Sequence, residues 1–225
     1  MAQILCIETS TKVCSIGLAV DGEIIELEED LSNRYSHAEN VNVFIDRVMA
    51  DINFLDLDAV AVSEGPGSYT GLRIGVSTAK GICMGRNIPL IAINPLEAMA
   101  RRVKSKVGNA LKIPMIDARR MEVFCAAYDD AGKEVFGTRA EIVDQNSFAA
   151  HENFSEIYYF GDGAEKCKEV LRSSRFKYVE SYASALGMAL LAEEKFSNQN
   201  FENLAYFEPF YLKDFVAGKP KKGLQ

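Results

Sequence analysis

The feature that most constrains the fold of this chain is an order of predicted elements that occurs twice. In the first half an apolar run over residues 4–7 ends at Glu8, and in the second a similar run over residues 113–116 ends at Asp117. Each run is followed by a short polar loop and by two strands joined by a glycine-containing turn. This repeat, weak in identity but clear in order, indicates an internal duplication.

Alternating helices and strands follow the hairpin in both halves, which predicts an α/β protein whose mixed sheets are flanked by helices. Two such units in tandem are similar to the duplicated ribonuclease-H-like units of the actin-like ATPase fold. Charged residues cluster with Gly108 and Asn109 between the repeats. We therefore predict a first subdomain over residues 1–105 and a second over residues 106–225.

The helix predictions rest on apolar spacing and on capping signals. The first helix is expected to begin at Ser36, with Ser36 and Glu39 as a capping box. The predicted helices cover about residues 36–52, 71–85, 94–103, 145–150 and 182–196, and Gly161-Asp162-Gly163 is expected to open one more.

Charge and cysteine content narrow the possible partners and location. The formal net charge of −7 and the pI of about 5.0 oppose a chain-wide footprint for nucleic acid, so contacts with any nucleic acid would come mainly from a partner. The five cysteines are odd in number and lack C-x-x-C spacing, which predicts buried free thiols. No signal-like segment and no apolar run of about 18–20 residues is present, so we expect a cytoplasmic protein with no membrane partner.

One candidate site would bind nucleotide phosphates between the two hairpins, because backbone N–H groups and small hydroxyls at such turns can hold an anion. The candidate residues are Glu8, Thr9, Ser10, Thr11, Asp117, Gly161 and Gly163. Bulky Arg119 and Arg120 stand where the second hairpin would need a glycine-rich loop. The alternative is that the hydroxyls are ordinary turn residues and the glycines form a tight turn after a strand.

Metal and nucleophile chemistry have little support in the residue inventory. The two histidines, His37 and His151, are far apart and belong to no metal motif, so both are expected to be solvated at helix ends. Ser68 lies in a glycine-rich turn that lacks the G-x-S-x-G pattern, and we expect it to cap the following helix.

A further candidate is a surface on the helix over residues 71–85 that would pack against a helix of another protein. Small residues recur there at every fourth position, and such a ridge permits a close helix approach. The ridge comprises Gly71, Gly75, Ala79 and Cys83, flanked by Leu72, Val76 and Ile82, and the preceding helix adds Val43 and Met49 outside its main apolar stripe. The alternative is packing inside the domain. A docking role predicts that Gly75→Leu or Ala79→Leu blocks pairing and leaves the monomer folded.

Several stretches together resemble the TsaB (YeaZ) family, in the glycoprotease-like branch of the actin-like superfamily. The longest is the run over residues 63–75, SEGPGSYTGLRIG. Others are IETST at residues 7–11, SHAE at 36–39, DARR at 117–120 with EVF at 122–124, and EPFYL at 208–212. The resemblance covers essentially the whole chain, although Glu8 replaces the aspartate usual after the first strand.

The resemblance implies a non-catalytic subunit in the synthesis of tRNA threonylcarbamoyladenosine. Such a subunit pairs with the catalytic paralogue TsaD and works with the ATPase TsaE, meets tRNA indirectly through the complex, and forms a homodimer when alone. The helices of its first subdomain would pack on those of TsaD. It implies no required cofactor, and ATP or ADP in the residual cleft stays an open alternative.

The resemblance also implies a place where the chemistry has been lost. TsaD carries two metal-binding histidines in an Asn-His-x-Glu-x-His frame, and this chain has Pro95 and Met99 at those two positions. Neither side chain is a good ligand for a divalent ion. The alternatives are an ATP-dependent small-molecule kinase or nucleotide hydrolase of the superfamily, and a metallopeptidase, which would need the absent ligands.

Overall fold

Two five-stranded mixed sheets form the centre of the molecule. The structure, a computed structural model, describes residues 2–32, 34 and 36–213. The strands of the first sheet are β1 (Gln3–Glu8), β2 (Cys14–Val20), β3 (Glu23–Asp30), β4 (Ala59–Ser63) and β5 (Leu90–Ile93). Their order is β3-β2-β1-β4-β5, with the first three antiparallel and β4 and β5 parallel to β1.

The second sheet repeats this order. Its strands are β6 (Ala110–Asp117), β7 (Glu122–Tyr128), β8 (Glu134–Ile142), β9 (Glu156–Phe160) and β10 (Phe176–Tyr178). They are arranged β10-β9-β6-β7-β8, with β6 in the position of β1 and β9 in that of β4. The duplicated ribonuclease-H-like fold predicted from the repeat is therefore confirmed.

In the part of the chain that the structure describes, four α-helices pack on these sheets. They are α1 (His37–Val48), α2 (Tyr69–Arg86), α3 (Pro95–Arg102) and α4 (Ala185–Ser197). Two predicted helices are wrong: residues 145–150 form turns, and a single 3-10 turn at Glu165–Cys167 follows Gly161-Asp162-Gly163. The capping box is also wrong, because the Ser36 hydroxyl donates to Asp30 Oδ2 at 2.5 Å instead of accepting from the helix.

The continuous apolar run of β1 is explained by burial on both faces of the sheet. Leu5 and Ile7 belong to a core with α1 and α2, whereas Ile4 and Cys6 belong to a core with α4. The last helix of the second sequence half therefore completes the first sheet.

The helix α3 belongs to the first half of the sequence but packs on the second sheet. Its Leu96 and Met99 pack with Ile116, Phe124 and Phe160 of the second sheet, and α3 also contacts α4. A boundary at residue 105 separates the strands of the two sheets. The helices do not follow this boundary, because α3 packs on the second sheet and α4 packs on the first. Residues 214–225 of the predicted second subdomain lie outside the described residues. Within the described part, no helix is both long and apolar enough to cross a membrane.

Candidate functional site

The predicted ridge of small residues on α2 faces the interior of its own domain. Gly71, Gly75, Ala79 and Cys83 are all buried. A Cβ at Gly71 would lie 2.2 Å from the Thr9 carbonyl oxygen, and one at Gly75 would lie 2.2 Å from Thr9 Oγ1. The prediction that this ridge is an exposed docking surface is wrong, because the ridge lets α2 approach the loop after β1.

The flanking residues of the predicted interface divide between core and surface. Leu72, Val76 and Met49 are buried in the first domain. Val43 is 44% exposed on α1, and Ile82 on α2 is partly buried at the edge of the same core. Only these two members of the predicted set can meet a partner. The prediction that Gly75→Leu spares the monomer is also wrong, because a leucine there would strike Thr9.

A second row of small residues on α2 faces outward. Ser77, Gly81 and Gly85 are exposed, also at i+4 spacing, and a Cβ at either glycine would meet nothing within 4 Å. Met84 beside them is 77% exposed. This outward row is the face of α2 that another helix could approach closely. The two rows have the same i+4 spacing. The apolar residues Leu72 and Val76 lie beside the first row, and they were the signal in the sequence that this row faces inward.

A shallow groove continues the outward face of α2 toward α1. It is lined by Ala38, Tyr69, Thr70, Arg73, Ile74, Ser77 and Thr78. Arg73 lies over the Tyr69 ring at 5.3 Å, and Tyr69 packs on Tyr211 with ring centroids 4.9 Å apart. Tyrosine and arginine side chains of this kind are enriched where protein interfaces derive most of their binding energy.

The loop after β1 is sealed rather than open to a ligand. Thr9 and Ser10 are fully buried, and their N–H groups donate to Ser63 Oγ at 3.1 Å and to Glu8 Oε1 at 2.6 Å. The turn before α2 lies directly on this loop, since the Ser68 N–H donates to the Ser10 carbonyl at 2.6 Å. The amides that would bind a phosphate are therefore already used.

Three buried oxygens in this loop have no hydrogen-bond partner among the described residues: Glu8 Oε2, Thr9 Oγ1 and Ser10 Oγ. Burial raises the pKa of the Glu8 carboxyl, against the opposing effect of the hydrogen bond from the Ser10 N–H. A buried carboxyl beside hydroxyls does not attract an anion, so this loop does not fit nucleotide phosphates. Ser68 caps α2 as predicted, accepting from the Gly71 N–H at 3.3 Å.

Asp117, the acidic residue at the second hairpin, is held by contacts within the protein. Asp117 pairs with Lys166 and accepts from the Arg119 N–H at 3.1 Å. Arg119 and Arg120 both have left-handed backbone conformations, with φ of 69° and 49°. Their exposed side chains stand where a phosphate-binding loop would need glycine.

The glycines after β9 serve packing. Gly161 has φ of +104°, and a Cβ there would lie 2.2 Å from the Met115 carbonyl oxygen. A Cβ at Gly163 would lie 2.8 Å from the backbone of Ile116. Both glycines let the turn after β9 approach β6, which is the tight-turn alternative considered from the sequence.

The Asp162 carboxylate lies near Glu8 and adds to the raised pKa of the Glu8 carboxyl. Surrounding protein raises the pKa of the Asp162 carboxyl to about 6, although the residue keeps an exposed surface. The nearby Asp117 adds to this shift, and Lys12 opposes it. Sequence reasoning missed Asp162, which only the closed fold surrounds with protein.

The segment with Pro95 and Met99 forms an ordinary helix start. Asn94 caps α3 by accepting from the Leu96 N–H at 2.9 Å, and its side-chain amide donates to Thr138 Oγ1 at 3.0 Å. Pro95 occupies the first turn and Met99 is 1% exposed in the apolar core of the second sheet. Among the described residues no group of three His, Cys, Asp or Glu side chains could hold a metal ion.

The histidine predictions are only partly correct. His37 is 2% exposed, with Nε2 2.8 Å from the Thr11 carbonyl oxygen, so the prediction of a solvated side chain is wrong. Burial lowers its pKa. His151 is half-buried and stacks on Phe136 with centroids 5.6 Å apart. The five cysteines are buried free thiols, as predicted.

Comparison with known proteins relates the chain to one family. A family model described as TsaD, tRNA N6-adenosine threonylcarbamoyltransferase, matches residues 32–221. The tRNA threonylcarbamoyladenosine biosynthesis protein TsaB of Escherichia coli K12 is 27% identical, with 98% of this chain and 99% of that protein aligned. The TsaB protein of Haemophilus influenzae is 28% identical, over 98% and 97% of the two chains.

Solved structures agree with the fold. The structure of YeaZ from Pseudomonas aeruginosa superposes with a TM-score of 0.76 at 22% identity, covering 94% of this chain and all of that one. A second solved structure, described as an uncharacterized protein with similarity to peptidase YEAZ from Pseudomonas aeruginosa, gives the same TM-score at 21% identity. At this identity the likeness establishes the fold alone.

Proposed function

Because the chain belongs to the family described as TsaD, tRNA N6-adenosine threonylcarbamoyltransferase, we propose that it acts in the synthesis of tRNA threonylcarbamoyladenosine. The relatives that align over nearly their whole length with this chain are TsaB proteins named for that pathway. Within the machinery, the chain is a non-catalytic subunit that pairs with a TsaD-like catalytic paralogue and works with a TsaE-like ATPase in the cytoplasm.

The packing of Pro95 and Met99 carries the non-catalytic assignment. These residues stand where the resemblance implies two metal-binding histidines. Met99 is enclosed by apolar side chains of the second sheet, among them Ile116 and Phe160. Such an apolar cluster is a poor environment for a hydrated divalent ion, and Pro95 and Met99 themselves supply no oxygen or nitrogen side-chain ligand. The site has been converted into hydrophobic core.

The sealed loop after β1 supports a role that needs no bound nucleotide. The N–H groups of Thr9 and Ser10 donate within the protein, and the turn at Gly67 and Ser68 covers them. A Cβ at Gly67 would lie 2.2 Å from the Ser10 carbonyl oxygen, so the two loops are in close contact. Nucleotide binding by the isolated chain would require this contact to open.

The outward face of α2, with Val43 of α1, is the surface we assign to the partner. Gly81 and Gly85 have open space above them, Ile82 and Met84 offer apolar surface, and the Tyr69–Arg73 pair lies at one end. A partner helix can approach such a face closely and bury the exposed apolar side chains. In the absence of the paralogue, the same face would join two copies of the chain.

Pairing is tested with Gly81→Leu and Met84→Glu, measured with the TsaD-like protein by size-exclusion chromatography. Neither change meets a neighbouring side chain in the monomer, so the folded chain should persist while the complex is lost. Leu190→Glu is the matched control, because Leu190 is 51% exposed on α4, away from this face. Retained pairing in both α2 variants would refute the assigned surface.

The assignment to the modification machinery is tested by reconstitution. Formation of threonylcarbamoyladenosine on a tRNA transcript should fall sharply when this chain is omitted from the TsaD-like and TsaE-like proteins. Calorimetry of the isolated chain with ATP and magnesium should give no turnover. Tight ATP binding with turnover would instead favour a small-molecule kinase or nucleotide hydrolase.

A further inference from the structure

A basic pocket lies outside the helices and hairpins described above. It forms where the loop between α3 and β6 meets the turn between β7 and β8, and its volume is about 410 Å³. Its lining consists of Lys104, Ser105, Lys106, Val107, Gly108, Lys112 and Asp130. Three ammonium groups and one carboxylate thus line one pocket of a chain whose net charge is −7.

The buried lysine is the unusual member of this group. Lys112 lies within β6, and its side chain is 9% exposed. Its nearest carboxylate oxygen, Asp130 Oδ1, is 3.7 Å from Nζ, which is too far for a hydrogen bond. No other described residue accepts a hydrogen bond from Lys112 Nζ, although an ammonium has three donors. Because Lys112 also lines the pocket, its remaining donors can reach an acceptor there.

Asp130 cannot satisfy all three lysines. Its Oδ2 already accepts from the Ala110 N–H at 2.9 Å, so it also holds the start of β6. Lys104 and Lys106 are exposed at the pocket edge and form no ion pair with a described residue. Counting one carboxylate against three ammonium groups leaves two positive charges in the pocket without a counterpart.

The loop that carries two of the lysines is held in shape. The Lys106 N–H donates to the Tyr158 hydroxyl at 3.2 Å, and the Ser105 hydroxyl donates to the Val107 carbonyl at 2.6 Å. The Tyr158 hydroxyl in turn donates to Glu156 at 2.8 Å. The two exposed lysines are therefore attached to a backbone that is already ordered, which lowers the cost of binding.

From this arrangement we propose that the pocket binds a phosphate group, with Lys112 at its base and Lys104 and Lys106 at its edge. A phosphate oxygen offers acceptors for the Lys112 ammonium, and its negative charge is attracted by the excess positive charge of the lining. The group can be a phosphodiester of an RNA backbone or free phosphate. The RNA source rests on the proposed function, in which the substrate is a tRNA. Lysine contacts of this type position an RNA and do not read its sequence.

The test uses the full chain with the double substitution Lys104→Gln and Lys106→Gln. Lys133→Gln is the control, because Lys133 is exposed on the adjacent turn but does not line the pocket. Binding of a fluorescent tRNA transcript is followed by anisotropy over a salt series, and inorganic phosphate is titrated separately by NMR. The double variant should bind tRNA at least about tenfold more weakly, since hydrogen bonds to charged groups are lost. The slope of log affinity against log salt should fall by about 2, since each lysine accounts for about 1.

The outcomes separate the two phosphate sources. Lysine-dependent tRNA binding identifies RNA as the source. Binding of inorganic phosphate that depends on the same lysines, without tRNA binding, supports the pocket and assigns it to free phosphate. No binding of either probe by the wild-type chain, or equal binding by the double variant, overturns the proposal.

The proposed function is judged by different measurements. The double variant should still pair with the TsaD-like protein on size-exclusion chromatography, because the pocket lies away from α1 and α2. If pairing fails for the wild-type chain while lysine-dependent phosphate binding is present, the proposed function falls and the pocket stands. If pairing holds and neither probe binds, the pocket proposal falls and the proposed function stands.

Discussion

Exchange of Gly71 for alanine tests whether the small-residue ridge of α2 is internal. The new Cβ would lie 2.2 Å from the Thr9 carbonyl oxygen and 3.0 Å from the His37 ring. A normal carbon–oxygen contact is about 1 Å longer, and the oxygen belongs to a buried backbone that cannot rotate away. Either α2 must move off the sheet or the loop after β1 must shift.

The expected size of the effect follows from two opposing contributions. Overpacking a core costs about 1–3 kcal/mol, and a clash with backbone belongs at the upper end. Replacing glycine by alanine in a helix returns at most about 1 kcal/mol. Gly71→Ala should therefore lower the free energy of unfolding by about 2 kcal/mol. For a chain of 225 residues this corresponds to a Tm lower by about 4–8 °C.

Gly81→Ala is the matched control on the same helix. A Cβ at Gly81 meets nothing within 4 Å, so only the helix contribution remains. This variant should gain about 0.5–1 kcal/mol and unfold at a slightly higher temperature. Thermal and urea unfolding followed by circular dichroism measure both variants. A Gly71→Ala protein as stable as wild type would refute the internal assignment of the ridge.

Two further predictions concern titration and thiol access. In the folded state the pKa of the Asp162 carboxyl is raised from 3.8 to about 6, so the native state binds this proton more tightly than the unfolded state does. The contribution of the protonated carboxyl to the free energy of unfolding is therefore fully present below about pH 4 and is lost as the pH rises through about 6. Asp162→Asn cannot ionise, so its stability relative to wild type should increase between pH 4 and pH 7 in urea titrations, and a difference independent of pH would contradict the cause we assign. Burial raises the pKa of the five thiols to about 11 or about 12, so a disulfide reagent should label them slowly in the native protein and all five in denaturant. Rapid labelling of the native protein would indicate that a cysteine we describe as buried is accessible.

Local signals in the sequence predicted most of the strands and the repeat. Apolar runs such as residues 4–7 and 113–116 mark strands buried on both faces, and the Asp21-Gly22 pair marks the hairpin between β2 and β3. Because each signal depends on only a few neighbouring residues, it can be recognised without knowledge of the fold. The short helix predicted over residues 145–150 is absent, and turns occupy that segment.

The orientation of α2 could not be read from spacing. Its inner row, including Gly71 and Gly75, and its outer row, including Gly81 and Gly85, have the same i+4 period, and both consist of small residues. Which row faces inward depends on contacts with Thr9, more than 60 positions away in sequence. The predicted ridge on α2 therefore lies on the inner side of the helix, and the partner surface that we propose lies on its outer side.

The sequence by itself determined the order of elements, the duplicated fold class and the family to which the chain belongs, because these depend on local patterns and on motifs. Only the tertiary structure decided that α3 and α4 exchange between the two sheets, that the loop after β1 is sealed, and that Lys112 opens onto a basic pocket. The physical reason is that burial, pairing and charge balance are sums over residues distant in the chain. The closed fold alone brings those residues within contact distance.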